Sequence, residues 1–256
     1  MELDWGDGDY GRTAAVLAPA AEVAIDAAGV GAGDWVLDVA CGTGNAALVA
    51  AARGASVVGV DLSPALVDMA RARARRARAA DATFLVGDAG RLPVEKGAFD
   101  AAVSVFGVIF APEPALAVAQ MAAAVRPGGA VVILSWIARG PVHEAGRALR
   151  AAFPDADGDA RAGWDDPDRV AGLAAAAGLR AISQREGALA FECESPEAWF
   201  AEQEQHHPVW RAARRRMAPG RWDALREESV AALREGSDEP SRFRAHGPYL
   251  VTRAVR

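Results

Sequence analysis

Short apolar runs alternate with longer helical segments from residue 35 onward. Five runs are rich in β-branched residues and almost continuously apolar, at 35–40, 56–61, 82–87, 99–106 and 130–136. Strands that are covered by helices on both faces have this character. The segments between them at 45–53, 64–79 and 115–125 are long enough to be crossover helices. The pattern predicts a largely parallel sheet with right-handed connections.

Weaker signals predict the elements on either side of this core. A helical segment at 13–28 ends at Gly29, and residues 137–164, rich in Gly, Pro and Asp, are predicted to be a loop with a short helix. A helix at 166–177 has a proline near its start and is followed by Gly178. The remaining predictions, in chain order, are one or two strands at 179–192, two or three helices at 195–236 and a final strand at 249–255.

We interpret these elements as a single α/β domain over residues 1–256. Residues 1–34 form an N-terminal cap region with its helix, residues 35–136 form the ligand-binding core, and residues 194–247 form a helical insertion before the last strand. The expected fold class is a doubly wound, Rossmann-like sheet. In such sheets, ligands bind outside the carboxyl ends of the strands.

The composition and charge of the chain bear on whether it binds nucleic acid or membranes. The chain is 52% hydrophobic and 24% charged, with a net charge of −6 and an isoelectric point near 5.3. This balance gives no general attraction to nucleic acid or to anionic lipid. No apolar stretch reaches the roughly 18 residues that a membrane span needs, and the acidic start lacks the order of a signal peptide. We therefore expect a cytoplasmic protein without a membrane partner, and leave open whether it forms homo-oligomers.

Two cysteines, Cys41 and Cys193, are too few for a disulfide framework or a cysteine-based zinc site. We expect no metal. Cys41 is interpreted as a small packing residue whose backbone matters, and not as a nucleophile.

The segment VLDVACGTGN at 36–45 carries the clearest chemical signal. A strand leads into a tight turn with Gly42 and Gly44, and a helix follows. Glycine permits positive φ and lets a ligand lie against bare backbone, while the new helix offers free N–H groups. Asp61 ends the second strand, where a carboxylate can accept both hydroxyls of a ribose.

Two classes of cofactor fit these features, and Asp38 discriminates between them. The spacing Gly42-x-Gly44-x-x-Ala47 also matches the dinucleotide fingerprint. However, Asp38 lies four residues before Gly42, where a buried carboxylate repels a pyrophosphate and attracts a cation. S-adenosylmethionine (SAM) carries an ammonium and a sulfonium and no phosphate. The charge pattern favours SAM over NAD, and so disfavours a nucleotide-dependent oxidoreductase.

Two later strand ends extend this candidate site. Asp88, in the sequence Gly87-Asp88-Ala89 after the third strand, can accept a hydrogen bond from an adenine amino group. The sequence SVFG at 104–107 ends the fourth strand, where the switch in strand order opens a ligand crevice.

At this point the sequence resembles the class I SAM-dependent methyltransferases, in particular the group that includes the ubiquinone and menaquinone biosynthesis methyltransferases. The matching motifs are VLDVACGTGN (36–45), VVGVDLSPALVDMAR (57–71), FLVGDAGRLP (84–93), FDAAVSVFGVIFAPEP (99–114) and VRPGGAVVILSW (125–136). The resemblance covers residues 5–136. It implies a seven-stranded, mostly parallel sheet with an antiparallel last strand, which suits 249–255.

The resemblance also implies where cofactor-binding residues lie. Around the methionine part it places Asp38, Ala40, Gly42, Gly44 and Asn45, with the backbone of Cys41. At the ribose and adenine it places Asp61, Leu62, Gly87, Asp88 and Ala89. Near the sulfur it places Ser104 and Phe106, and over the cofactor Tyr10 and Arg12.

The acceptor side is less determined by the sequence. His143, His206 and His207 are the candidate catalytic bases, although a base is needed only if the acceptor must lose a proton. The aromatic residues at 199–210 are interpreted as core between helices or as a pocket wall. The arginine run at 71–78 is interpreted as a solvated helix face.

The function expected from this reasoning is methyl transfer to an oxygen, nitrogen or carbon of a small-molecule metabolite. The alternatives are a methyltransferase of RNA or protein, and a SAM-binding module without catalysis. The fourth strand ends in SVFG and not in the Asn/Asp-Pro-Pro-aromatic motif. That difference argues against methylation of DNA bases or glutamine.

Overall fold

Seven strands form one sheet in the computed structural model, which describes residues 3–147, 149, 152–153, 163–239 and 241–256. The strands are β1 (Trp35–Val39), β2 (Ser56–Asp61), β3 (Ala82–Val86), β4 (Phe99–Val105), β5 (Val125–Trp136), β6 (Arg180–Cys193) and β7 (Phe243–Val255). The α-helices are α1 (Tyr10–Ala28), α2 (Asn45–Ala52), α3 (Pro64–Ala77), α4 (Pro114–Ala124), α5 (Pro141–Arg147), α6 (Pro167–Ala176), α7 (Pro196–His206), α8 (Pro208–Arg216) and α9 (Pro219–Glu235). A short 3-10 helix spans Val108–Phe110.

The strand order is β3-β2-β1-β4-β5-β7-β6. The pairings among β1 to β5 are parallel, and β7 runs antiparallel to both β5 and β6. The predicted fold class, a mostly parallel seven-stranded sheet with an antiparallel last strand, is confirmed. The order reverses between β1 and β4, so the carboxyl ends of these two strands open a crevice.

Each face of the sheet carries its own apolar core, which explains the continuous apolar character of the parallel strands. Val36 of β1 packs with α1, α2 and α3, whereas Leu37 and Val39 pack with α4 and α6 on the opposite face. All three side chains are fully buried. A third cluster joins α5 to the helices between β6 and β7.

That third cluster contains the aromatic side chains of the helical region. Trp199, Phe200 and Trp210 are buried and pack together with Trp222 and Phe243. The interpretation of these residues as core between helices therefore agrees with their packing. Trp210 also lines a cavity that is described below.

Several boundaries differ from those predicted. The last strand begins at Phe243 and not at residue 249, because its first half pairs only with β6, whereas residues 249–255 pair with β5 as well. The segment 179–192 is one strand with an irregular register between Arg180 and Ser183. The helices between β6 and β7 are three, and α1 begins at Tyr10. Part of the predicted loop at 137–164 lies outside the described residues.

Local signals account for the crossover helices. Ser63 accepts from the backbone N–H of Leu66 at the start of α3, and Pro64 occupies the first turn. Helix α6 begins in the same way, with Asp166 accepting from two backbone N–H groups.

No helix in the described part of the chain combines the length and apolarity that crossing a membrane requires.

Candidate functional site

The turn after β1 has an unusual backbone conformation. Ala40, Gly42 and Gly44 all have positive φ, at 53°, 54° and 82°. A Cβ added at Gly44 would lie 2.9 Å from the ring of Phe84, so the turn requires glycine there. The close packing draws the turn against the sheet and leaves the first N–H groups of α2 near the strand ends.

Asp38 is a buried carboxylate inside the apolar strand β1. Its side chain is 2% exposed, and it accepts one hydrogen bond, from the backbone N–H of Ala47 at 3.0 Å. Among the described residues no cationic side chain forms a salt bridge with it. Burial, with a contribution from the charge of Asp61, raises the pKa of Asp38 to about 7. The site therefore holds a poorly compensated negative charge.

Asp61 lies beside this carboxylate at the end of β2. It accepts from the backbone N–H of Gly42 at 2.7 Å and from that of Ser63 at 2.9 Å. Burial raises the pKa of Asp61, while these two hydrogen bonds favour its ionised form. The carboxylate is thus fixed in orientation, with lone pairs left for further donors.

A cavity at the carboxyl ends of β1, β2 and β4 brings most of the predicted cofactor residues together. The predicted residues that line it are Tyr10, Asp38, Ala40, Cys41, Gly42, Asn45, Asp61, Leu62, Gly87, Asp88, Ala89 and Phe106. We call it the switch-point cavity. Its walls combine three carboxylates, those of Asp38, Asp61 and Asp88, with apolar and aromatic surface, an arrangement suited to a flat ligand with a positive charge.

Three predicted cofactor residues do not line this cavity. Arg12 is exposed and pairs with Glu202 at 2.9 Å, because the first turn of α1 directs it towards α7. Gly44 is the N-cap of α2 and packs against the sheet side of the turn. Ser104 is fully buried, donates to the carbonyl of Val39 and accepts from the N–H of Val108. Gly44 and Ser104 therefore shape the backbone of the site and do not face the cavity.

An aromatic cover over the cavity was missed by sequence reasoning. The ring of Trp5 lies edge-on to Phe110 at 4.7 Å and to Tyr10 at 6.0 Å, and all three line the cavity. Burial raises the pKa of the Tyr10 hydroxyl to about 12, and the charge of Asp61 contributes. The sequence signal that could have revealed this cover was Trp5, a tryptophan in an otherwise polar, acidic N-terminal segment.

The arginine run on α3 does not lie wholly on a solvated face, so that interpretation is wrong in part. Arg73 donates to the carbonyl and hydroxyl oxygens of Thr43 at 2.8 and 2.7 Å and to the side-chain oxygen of Asn45 at 2.8 Å. Arg71 donates to the carbonyl of Phe84 at 2.8 Å. Arg73 thus braces the glycine turn, and Arg71 ties α3 to β3 while remaining partly exposed, as are the later arginines of the run.

A second cavity of about 450 Å³ lies next to the first. Phe110 lines both cavities. Phe106 of the first stacks on Trp136 of the second, with ring centroids 3.9 Å apart and an interplanar angle of 6°. His143 and His207 line the second cavity.

The candidate bases differ in their surroundings. His206 lies 3.9 Å from the carboxylate of Glu202 and lines neither cavity. His207 accepts from the N–H of Val209 through Nδ1 at 3.2 Å, and burial lowers its pKa to about 4. His207 is a poor base because its pKa is low and its Nδ1 lone pair is already engaged, and His206 lies outside both cavities, so the geometry argues against both residues in that role.

Among the described residues no cluster of three or more His, Cys, Asp or Glu side chains could hold a metal ion.

Comparison with known proteins finds a matching family model and several similar chains. Residues 36–129 match the family model described as a methyltransferase domain. An uncharacterized protein of Mycobacterium tuberculosis is 36% identical over 172 residues, which are 66% of this chain and 62% of that protein. A demethylmenaquinone methyltransferase of Beutenbergia cavernae is 38% identical over 109 residues, 43% of each chain. The chain thus spans about half of the length of the curated relatives that it matches.

Solved structures share the fold at low identity. The YcgJ protein of Bacillus subtilis matches with a TM-score of 0.67 and 17% identity, over 93% of this chain and 98% of that one. Geranyl diphosphate C-methyltransferase of Streptomyces coelicolor, in complex with S-adenosylhomocysteine, matches with a TM-score of 0.58 and 20% identity, over 93% and 78%. The [4+2]-cyclase SpnF matches with a TM-score of 0.59 and 20% identity, over 99% and 86%.

Proposed function

We propose that the chain is an enzyme that transfers a methyl group from SAM to a small-molecule acceptor, because its residues 36–129 match a family model described as a methyltransferase domain. The acceptor atom is an oxygen, nitrogen or carbon. One observation carries the proposal most directly: the buried carboxylate of Asp38, which lines the switch-point cavity without a cationic partner in the described part of the chain.

The carboxylate acceptors of this cavity fit SAM better than a dinucleotide. An ammonium group beside Asp38 would compensate the buried charge, whereas a pyrophosphate would be repelled by Asp38 and Asp61 together. Asp61 would accept from the ribose hydroxyls. Leu62 and Asp88 would flank the adenine, and the remaining lining residues supply apolar surface.

When bound, SAM supplies an electrophilic methyl group on a sulfonium sulfur. The tasks left to the chain are orientation and the exclusion of water. Tyr10, Trp5 and Phe110 line the cavity and would shield a bound ligand from water, and the braced glycine turn holds the carboxylates in place. Holding two reactants in the correct orientation can lower the activation free energy by about 7–11 kcal/mol.

The charge and the fold of the chain also bear on the alternative functions, which are methylation of RNA or protein and ligand binding without methyl transfer. A net charge of −6 provides no general attraction to RNA, and two arginines of the run on α3 are engaged in hydrogen bonds inside the protein. A protein of this fold that transfers no methyl group is the stronger rival, since SpnF, named as a cyclase, shares the fold. Turnover therefore has to be measured together with binding.

The first experiment compares ligands by thermal shift. We expect S-adenosylhomocysteine to raise Tm and NAD to leave it unchanged. Asp61→Ala should lower the affinity for S-adenosylhomocysteine at least tenfold, since two ribose hydroxyls lose their acceptor. Asp68→Ala, at an exposed position of α3, is the matched control and should bind like the parent protein. Stabilisation by NAD alone would refute the proposal.

The second experiment separates the acceptor classes. The protein is incubated with methyl-labelled SAM and with small-molecule, RNA and protein fractions of a bacterial extract. Label transferred only to the small-molecule fraction supports the proposal. Label in RNA or protein would replace the small-molecule acceptor by the corresponding alternative, and binding without transfer to any fraction would favour a noncatalytic module.

A further inference from the structure

A further cavity lies away from the cofactor site, among the three helices between β6 and β7. It has a volume of about 570 Å³, and in the described part of the chain it shares no lining residue with the switch-point cavity. Helix α7 contributes Glu204 to its wall, α8 contributes three arginines and α9 contributes one. The arginines are Arg211, Arg214, Arg215 and Arg226. We call it the arginine cavity.

The sequence of a single helix does not account for this group of arginines. Arg214 and Arg215 belong to the last turn of α8, where positive charge also stabilises the helix dipole. Arg211 lies one turn earlier, and Arg226 belongs to α9, so the dipole of α8 explains neither. Packing of α8 and α9 against α7 brings the four guanidinium groups to one cavity.

Asp7 of the N-terminal segment compensates two of the four arginines. Its carboxylate accepts from Arg211 at 3.0 Å and lies 2.6 Å from a guanidinium nitrogen of Arg215. Burial by itself would raise the pKa of Asp7, but the interactions with Arg215 and Arg211 outweigh it and lower that pKa. One negative charge therefore holds two positive charges in place.

The other two arginines also have one carboxylate between them. Arg214 pairs with Glu204, and the same carboxylate oxygen accepts from the indole N–H of Trp222 at 2.9 Å. Arg226 forms no ion pair among the described residues, and its guanidinium carbon lies 5.6 Å from the ring centroid of Phe200. An aromatic ring carries no net charge, so the positive charge of Arg226 stays uncompensated. Two of the four positive charges thus exceed the two carboxylates that pair with these arginines.

This charge balance fits a phosphate group with two negative charges. Guanidinium groups bind phosphate oxygens through paired, charge-assisted hydrogen bonds. A phosphate monoester is close to doubly charged above pH 7, because its second pKa is about 6. It matches both uncompensated charges, whereas a carboxylate ligand would leave one of them. A nucleic acid fits less well, since the net charge of −6 repels an extended polyanion outside the cavity.

We infer that the arginine cavity binds the dianionic phosphate group of a small molecule, at a site separate from the switch-point cavity. Arg226 supplies the charge that lacks a partner, while Asp7 and Glu204 hold the arginines of α8 in position for the ligand. The inference does not depend on the proposed methyl transfer. A phosphate ligand and S-adenosylhomocysteine should therefore bind to the protein at the same time.

Two probes of similar shape isolate the effect of the second charge. Around pH 8, methyl phosphate carries two negative charges and dimethyl phosphate carries one. Each is titrated into the full chain at low salt and followed by phosphorus NMR, with and without saturating S-adenosylhomocysteine. We expect methyl phosphate to bind roughly tenfold more tightly than dimethyl phosphate in both conditions, and its affinity to fall as salt is added.

Three variants test which residues cause this binding. Arg226→Gln removes the uncompensated charge and should lower the affinity for methyl phosphate roughly fivefold. Asp7→Asn removes a competing carboxylate and should raise that affinity roughly threefold, an increase that damage to the fold would not produce. Arg221→Gln, at an exposed arginine of α9 outside the cavity, is the matched control and should leave the affinity unchanged.

Each outcome decides for or against the site. Displacement of methyl phosphate by S-adenosylhomocysteine overturns the inference, because the probe then occupies the switch-point cavity. Equal binding of the two probes, or equal losses in Arg226→Gln and Arg221→Gln, also overturns it, since either result indicates general attraction to surface arginines. Absence of methyl phosphate binding overturns it as well. Simultaneous binding of both ligands, weakened by Arg226→Gln and strengthened by Asp7→Asn, supports the site.

Discussion

The substitution Asp38→Asn should make the protein without ligand more stable and, at the same time, weaken its cofactor binding. Burial raises the pKa of Asp38 from 3.8 to about 7, which corresponds to a cost of about 4 kcal/mol for the ionised form in the folded state. Asparagine has nearly the same shape, can still accept from the N–H of Ala47, and carries no charge. The variant therefore escapes this cost.

The sign of the pH dependence follows from proton binding. Between pH 3.8 and about 7 the folded protein keeps a proton on Asp38 that the unfolded chain has released, so stability decreases as pH rises through this window. Above pH 7 the loss is complete. Asp61, whose pKa is also raised, contributes in the same direction and is retained in the variant. The difference between parent and variant should consequently grow from near zero at pH 4 to at most about 4 kcal/mol at pH 8.

Ligand binding should respond in the opposite sense. A hydrogen bond between charged groups contributes about 1.5–3 kcal/mol. Asp38→Asn should therefore lower the affinity for S-adenosylhomocysteine by roughly 10- to 150-fold. In the parent protein the affinity should fall as pH drops below about 7, because the cationic amino group of the ligand requires Asp38 to be ionised.

Urea denaturation at pH 4, 6 and 8, with calorimetric titration of S-adenosylhomocysteine at pH 6 and 8, measures both effects. Asp68→Asn, an exposed carboxylate on α3 that pairs with Arg71, is the control and should change stability by less than about 0.5 kcal/mol. A variant that is no more stable than the parent at pH 8, or that binds the ligand equally well, would show that Asp38 is not an uncompensated charge awaiting a cation.

Two further predictions test the turn and the cover of the switch-point cavity. Gly44→Ala should destabilise the protein by about 1–3 kcal/mol, because the turn has φ 82° and the new Cβ would lie 2.9 Å from Phe84; the control Gly172→Ala, in α6 with open space around it, should be neutral or stabilising in the same thermal melts. Trp5→Ala should speed the dissociation of S-adenosylhomocysteine in stopped-flow measurements, since the contact with Phe110 over the cavity is lost. An unchanged dissociation rate would show that Trp5 does not hold the cover closed.

The sequence alone determined the sheet and the first part of the site. Continuous apolar runs predicted β1 to β5, because parallel strands are buried on both faces and leave a signal within a few residues. The glycine turn and its two carboxylates were equally visible, since Asp38, Gly42 and Asp61 lie at strand ends that the parallel sheet must bring to one edge. Local patterns thus specified which residues could meet a cofactor.

Other features arose only from contacts between distant parts of the chain. Arg73 is directed inward by acceptors in the turn, about thirty residues earlier, and no periodicity distinguishes it from its exposed neighbours. Trp5 reaches Phe110 across the cavity, and His143 and His207 line one cavity although they lie far apart in the chain. Hydrophobic pattern and residue spacing record burial and local geometry, whereas the direction of a side chain and its partner are decided by packing of the whole chain.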